Sequence, residues 1–291
     1  LSDKILSQEY IENLSIRLAN IMKVPFNRTF PVLEANTDEF RISIWHESRC
    51  SKKSISIRKI PKRLRFGRAE IINTKYAPEK LINLIENCVI GHCNCVIGGQ
   101  PHAGKTELLK YMSTFIPYNE KVGVYEDNQE IHYRTINPGK KCTEFYVDDK
   151  FQYSHIIKAG LRHNIDWVLL ESRGPEVVDL LNSLSTGAYC MTTMHLDNVS
   201  GIPDRMYNML GQGSVTDRFI NSIYKYIDLG ILVECDKNEK RKITQVGFFT
   251  RQEGINKCTI IYENGEFTEN NIPEQILGKL KKYGIGDVYE R

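Results

Sequence analysis

The sequence predicts an α/β chain in which a small N-terminal α+β domain precedes a phosphate-loop domain built on a mainly parallel sheet. Three observations carry this. A Gly-x4-Gly-Lys-Thr stretch, Gly99 to Thr106, stands between an apolar strand-like run and a helix-like run. Downstream of it, apolar strands alternate with helical stretches, the pattern of a parallel sheet covered by helices. Upstream, one stretch of helical period is followed by short β-type runs.

At the N-terminal end, Gln8 to Lys23 places Ile11, Leu14, Leu18, Ile21 and Met22 on one helical face. Phe30 to Leu33, Phe40 to Trp45 and Ser54 to Ile57 read as strands separated by polar turn-forming residues. These define a domain over 1–60. Between Lys52 and Arg68 the chain carries Lys52, Lys53, Arg58, Lys59, Lys62, Arg63, Arg65 and Arg68 without an acidic residue. This run, which extends into a linker at 61–76, is a solvated face or a surface for anionic lipid head groups or for nucleotide phosphates; nucleic acid fits it least. Ala77 to Cys88, with Pro78 near the first turn, predicts the helix that opens the second domain at 77–291.

Asn94 to Ile97 is short and apolar enough for a buried strand, and Glu107 to Met112 has helical spacing. The loop between them has the residue types that phosphate binding requires. Gly99 and Gly104 let the backbone curl with its N–H groups inward, forming an anion nest at the positive end of the next helix. Lys105 is the candidate for the β- and γ-phosphates, and Thr106 for a Mg²⁺ ion. Pro101 removes one backbone donor from the nest.

Further strands are expected at Lys121 to Tyr125, Trp167 to Leu170 and Tyr189 to Met194, with helices at Ser154 to Leu161, Pro175 to Leu184, Pro203 to Leu210 and Val215 to Tyr226. Strand-like segments return at Ile231 to Glu234, Ile243 to Phe249 and Cys258 to Tyr262, and Glu263-Asn264-Gly265-Glu266 signals a hairpin. Three strands run into polar residues. Glu171 follows the Trp167 strand, placed to orient or deprotonate an attacking water. Glu126 and Asp127 end the Lys121 strand, and parallel strands end at one edge. Glu126 is the second catalytic or metal-organising candidate, through water, while Asp127 more readily closes the loop. His195 ends the third strand, where an imidazole can sense a γ-phosphate.

The composition, 41% hydrophobic and 26% charged, is ordinary for a soluble protein. No apolar run approaches the ~20 residues that cross a bilayer, and no signal peptide opens the sequence, which predicts a cytoplasmic chain. The eight cysteines form no CxxC pair and no Cys/His ligand cluster, so free thiols are expected. A net charge of +3 is too small to argue for a nucleic-acid partner.

These stretches together resemble the secretion-traffic ATPases, the hexameric motors of type II and type IV secretion, conjugation and Flp/Tad-type pilus assembly. Gly98 to Thr106 resembles the family's Gly-Gly-Thr-Gly-Ser-Gly-Lys-Thr loop. Tyr125-Glu126-Asp127-Asn128-Gln129-Glu130 resembles its Ile-Glu-Asp-Thr-x-Glu acidic box. Leu161-Arg162, Asp166 to Glu171 and Ser172-Arg173-Gly174 resemble its second nucleotide motif, and Thr186-Gly187 through Thr192-Thr193-Met194-His195 its histidine box.

The resemblance implies a RecA-like motor domain, ATP and Mg²⁺ as ligands, and a homohexamer at the inner face of the cytoplasmic membrane. It further implies a platform protein in that membrane as partner, with nucleic acid not a direct ligand. ATP is expected to touch Gly99, Gln100, Pro101, His102, Ala103, Gly104, Lys105, Thr106, Glu107 and Arg173. Ser56-Ile57-Arg58-Lys59 and Phe40-Arg41-Ile42 resemble the segments from which family arginines approach phosphate, which adds Arg58 and Arg41.

The sequence also departs from the family pattern. Gln100-Pro101-His102-Ala103 replaces the Thr-Gly-Ser part of the loop, and Glu107 stands where a second Thr is common. The second nucleotide motif is one residue short and lacks its Pro and the Gly before Glu171. The histidine box is also one residue short and has Ala188 in place of its first His. A nucleotide-binding scaffold with little turnover, or a motor stimulated by nucleic acid, therefore stands as the alternative.

Overall fold

The computed structural model describes residues 6–37, 39–148, 150–210, 217–238 and 240–290. It divides into two compact units: residues 1–62 with 128–130, and residues 63–127 with 131–291.

In the first unit, helix α1 (Gln8–Met22) opens with the Ser7 side chain accepting the Tyr10 N–H and stops at Lys23 in the left-handed region. An antiparallel sheet follows, of β1 (Val32–Asn36), β2 (Phe40–Trp45) and β3 (Ser54–Lys59), in the order β1-β2-β3. Leu33, Ala35, Ile42 and Ile44 alternate onto its inner face and pack with Ala19, Leu18 and Met22 of α1. The helix face centres on Ser15 and Ala19 rather than on Ile21, which is exposed. Two small residues let the helix approach the sheet closely, and Ile21 falls beside that stripe.

The second unit begins inside the stretch expected as a linker. Helix α2 (Arg68–Asn73) buries Ile71, and Tyr76 is buried after it. Helix α3 (Glu79–Ile90) then leads to β4 (Cys95–Gly98), α4 (Lys105–Ser113), β5 (Val122–Glu126), α5 (Tyr133–Ile136), β6 (Cys142–Tyr146), α6 (Tyr153–Leu161), β7 (Trp167–Glu171), α7 (Glu176–Ser185) and β8 (Tyr189–Met194). After a 3-10 turn at Val199–Gly201 come α8 (Ile202–Asn208), α9 (Asp217–Tyr226), β9 (Leu229–Cys235), β10 (Arg241–Gln252), β11 (Ile255–Glu263), β12 (Glu266–Phe267) and α10 (Glu274–Lys282). The helix expected from Val215 is seen from Asp217; positions 215 and 216 lie outside the described residues.

Among the described residues the sheet has nine strands in the order β12-β11-β10-β9-β4-β8-β7-β5-β6. Pairing is parallel from β9 to β6 and antiparallel from β9 to β12. The expected hairpin joins β11 to β12 through Asn264 and Gly265, both at positive φ.

The central strands β4 and β7 are apolar up to the closing Glu171, because both faces are covered. Cys95, Ile97, Trp167 and Leu169 pack toward α3, α4 and α10, whereas Val96, Val168 and Leu170 pack toward α6, α7, α8 and α9. Each fully buried Leu or Val contributes about 1.5–3 kcal/mol. Parallel pairing brings the C-terminal ends of β4, β5, β7 and β8 to one edge. Chain order reverses at β4, the kind of place where open α/β sheets take their ligands.

Candidate nucleotide-binding and catalytic site

The loop from Gly99 to Gly104 joins β4 to α4 at that edge, and two glycines make it possible. Gly99 has φ 153°, and a Cβ there would lie 2.3 Å from the Val233 carbonyl oxygen. Gly104, at φ 99°, is the residue from which α4 starts. His102 also has positive φ, 64°, and Ala103 donates its N–H to the Gln100 carbonyl at 3.2 Å, closing a turn around Pro101. Gln100, Pro101 and His102 are exposed and Ala103 is buried.

Lys105 is buried, and its Nζ donates to the carbonyl oxygens of Gly99 and Gln100, each at 3.0 Å. The amine is thus held at the centre of the loop's curl. Thr106 stands half-buried in the first turn of α4. Glu107 pairs with Lys110 at 3.3 Å and with Arg65 at 3.7 Å. A chain of contacts runs outward from Lys105. Its Nζ lies 3.4 Å from Nδ1 of His195, and Nε2 of that ring lies 4.0 Å from Glu171 Oε1. Burial, and after it the Lys105 charge, push the His195 pKa below its ordinary 6.5, with Glu171 pulling the other way. At neutral pH the ring is therefore uncharged, and Nδ1 can accept from Lys105.

Glu171 in turn binds Arg173 at 2.5 Å, and the same guanidinium reaches Asp127 at 2.9 Å. Burial opposes the Arg173 charge, but the hydrogen bond and charge of Glu171 and the charge of Asp127 outweigh it and raise its pKa. Glu126 ends β5, and its Oε1 accepts the Ile131 N–H at 3.0 Å. Asp127 rather than Glu126 is therefore the acidic-box residue bound to Arg173.

The turn after β7 is fixed from below. Ser172 donates its N–H to the Thr193 carbonyl at 2.8 Å and shares a 2.7 Å hydroxyl contact with Thr192. Glu176, at the start of α7, accepts the N–H groups of Arg173 and Gly174. Glu176 was not singled out from the sequence, although a Glu at a helix start three residues beyond an Arg-Gly turn is a capping signal.

Arg41 and Arg58 lie in the first unit, directly opposite one another across β2 and β3. Both pair with Glu130 of the acidic box, at 3.9 and 3.3 Å. Other members of the basic run also pair with acids: Lys53 binds Glu12 at 2.5 Å, Arg65 binds Glu107, and Arg68 binds Glu86 at 2.9 Å. Each basic residue so paired is less available to an anionic surface.

Glycines that let a backbone curl, a buried lysine inside the curl and a threonine in the first helical turn form a donor set that fits a triphosphate and its cation. Among the described residues no group of three or more His, Cys, Asp or Glu is arranged to hold a metal on its own, and no helix is long and apolar enough to cross a membrane.

The sequence model of the type II/IV secretion system protein family matches residues 25–272. An uncharacterized protein of Bacillus anthracis is 23% identical over 302 aligned positions, covering 96% of this chain and 67% of that protein. The crystal structure of the VirB11 ATPase from the Brucella suis type IV secretion system superposes with a TM-score of 0.51 at 19% identity, covering 84% of each chain. The Yersinia pseudotuberculosis ATPase DotB superposes with a TM-score of 0.62 at 11% identity, covering 87% of this chain and 70% of that one. At these identities the structural likeness speaks for the fold.

Proposed function

This chain belongs to the type II/IV secretion system protein family and is an ATPase with a RecA-like motor fold, and we propose that it hydrolyses Mg·ATP as one subunit of a hexameric ring. The ring would act at the inner face of the cytoplasmic membrane, where ATP-driven movement of one domain against the other drives a membrane platform that moves pilin, protein or DNA. The observation that carries this reading is the run of contacts Lys105–His195–Glu171 along one sheet edge.

In this reading the amides of Gly99 to Thr106 and the Lys105 amine grip the phosphates. The Thr106 hydroxyl would hold Mg²⁺, with Glu126 or Glu171 as its candidate carboxylate neighbour through water. Bound Mg²⁺ supplies charge neutralisation of the phosphate oxygens. Glu171 takes a proton from water as that water attacks the γ-phosphorus, and the bond to the β–γ bridging oxygen breaks to leave ADP. Neutral His195, between Lys105 and Glu171, senses the terminal phosphate. Arg173 compensates its charge, while Arg58 and Arg41 are the first unit's candidate phosphate ligands.

The test is steady-state phosphate release by Lys105→Ala and Glu171→Gln. Both are expected to fall at least about a hundredfold, and full activity in either removes the catalytic assignment. Particle mass with and without Mg·ATP checks the ring; a monomer at every concentration counts against it. Pro101 and the Arg173 contact on Glu171 favour a second reading, a nucleotide-dependent scaffold. Tight ATP binding without phosphate release would establish it.

A further inference from the structure

The hairpin between β9 and β10 packs against the phosphate loop at two places. On β9, the Val233 carbonyl oxygen sits where a Cβ on Gly99 would have to go. On β10, Arg241 Nε donates to the His102 carbonyl at 3.2 Å, and Arg241 Cδ would lie 3.0 Å from a Cβ on Gly104. Before β10, Asp236 accepts the N–H groups of Asn238 and Lys240 and donates its own to the Lys240 carbonyl. Arg241 comes 139 residues after His102 in the chain, and no sequence motif marks it.

What Arg241 holds is the unusual part of the loop. Pro101 and His102 form a turn in which a non-glycine residue takes positive φ, a conformation that persists only when its surroundings hold it. A trans peptide is rigid. Fixing the His102 carbonyl therefore fixes the plane that also carries the Ala103 N–H, which closes the turn onto Gln100. With Lys105 on the carbonyls of Gly99 and Gln100, cations occupy three of the loop's carbonyl oxygens. The loop's donors to an anion are then amides other than that of Ala103, which closes the turn.

We propose that Arg241 is a positioning residue for nucleotide binding, acting through the His102 carbonyl to keep the phosphate loop in its binding shape. The proposal rests on the nucleotide reading above. Because the loop cradles the phosphates common to both nucleotides, ATP and ADP should feel the loss of Arg241 alike.

The experiment titrates the full chain with fluorescent ATP and ADP and follows phosphate release. Arg241→Ala should weaken both nucleotides about tenfold, the scale of one lost charge-assisted hydrogen bond, with kcat at saturating ATP within about twofold. Arg241→Gln places an amide donor the same number of bonds from the backbone as Nε, and should restore both affinities. This variant also keeps the test decisive if the alanine variant folds poorly.

The proposal is overturned if Arg241→Ala binds both nucleotides normally. It also fails if only ATP is weakened, which would indicate direct contact with the γ-phosphate, or if Arg241→Gln is as weak as Arg241→Ala. Lys105→Ala separates the two levels. If it binds like the unaltered protein, the nucleotide reading fails and takes this proposal with it; if it loses binding while Arg241→Ala keeps it, only Arg241's role falls.

Discussion

The two edges of the parallel sheet treat their polar groups differently. At the edge where the strands end, Glu171, Arg173, Asp127 and His195 keep side-chain exposures of 27%, 43%, 38% and 45%. At the edge where the strands begin, Asn94, Asp228 and His92 are buried. Asn94 alone makes five bonds there, donating to Asp228 and to the Tyr226 carbonyl and accepting from the N–H groups of Cys190, Asp228 and Leu229. Glu120 binds both His92 and the Trp167 indole at 2.6 Å, and His92 stacks on Tyr283 at 4.0 Å. One edge is locked; the other holds ion pairs that a charged ligand can exchange. The contrast teaches that one sheet can keep a set of ion pairs open to exchange at one end while it buries Asp228 and its partners at the other.

The largest expected effect lies at the locked edge. Lys279 of α10 binds Asp228 at 2.7 Å. Burial raises the Asp228 pKa even with Lys279 beside it, whereas on Lys279 burial acts to lower the pKa but the charge and hydrogen bond of Asp228, together with the nearby Cys93 and Cys95, raise it overall. Lys279→Ala leaves a buried carboxylate without its cation and should cost about 3 kcal/mol, read as a lower urea midpoint. The KM for ATP should stay within about twofold of the unaltered value. A large change in KM with little loss of stability would break the comparison.

What the sequence disclosed divides along a related line. The loop at Gly99 to Thr106 and the strand-terminal Glu171 and His195 were legible because an apolar run that ends in a polar group is a local pattern. Strands β2 and β8 were read over the residues where they lie, Phe40–Trp45 and Tyr189–Met194. Helix α10 went unread: Gly278 interrupts its spacing of Ile276, Leu277 and Leu280, and its anchor is Asp228, 51 residues away. Strand β6 lacks alternation because it is a half-buried edge. The basic run was legible as charge but not as contacts, since Lys53 finds Glu12 and Arg58 finds Glu130 across 41 and 72 residues. Arg241 is of the same kind, placed by the register of β10 on β9.

A smaller effect on stability is expected at the open edge. Arg173→Ala removes both of its ion pairs, yet the side chain is 43% exposed, and exposed pairs contribute about 0–1 kcal/mol. Its urea midpoint should therefore move far less than that of Lys279→Ala. Turnover should change more than stability, because Glu171 loses the cation that fixes it. Equal destabilisation by the two variants would show the edges to be alike.

The smallest effect, and the one that resolves the open edge most finely, is the titration of His195. Its pKa is depressed by burial first and by Lys105 second, and raised by Glu171. Above the ordinary 6.5 the ring is neutral in both folded and unfolded chains, and its contribution to stability is fully present. As pH falls below 6.5 the unfolded chain takes up the proton first, so that contribution is lost down to the lowered folded value. The imidazole Cε1–H resonance should accordingly titrate below 6.5. Lys105→Ala should move the midpoint up but not fully back, because burial remains, while Glu171→Gln should move it further down. A midpoint indifferent to both substitutions would mean that Lys105, His195 and Glu171 do not sense one another, and the exchangeable character assigned to this edge would be lost.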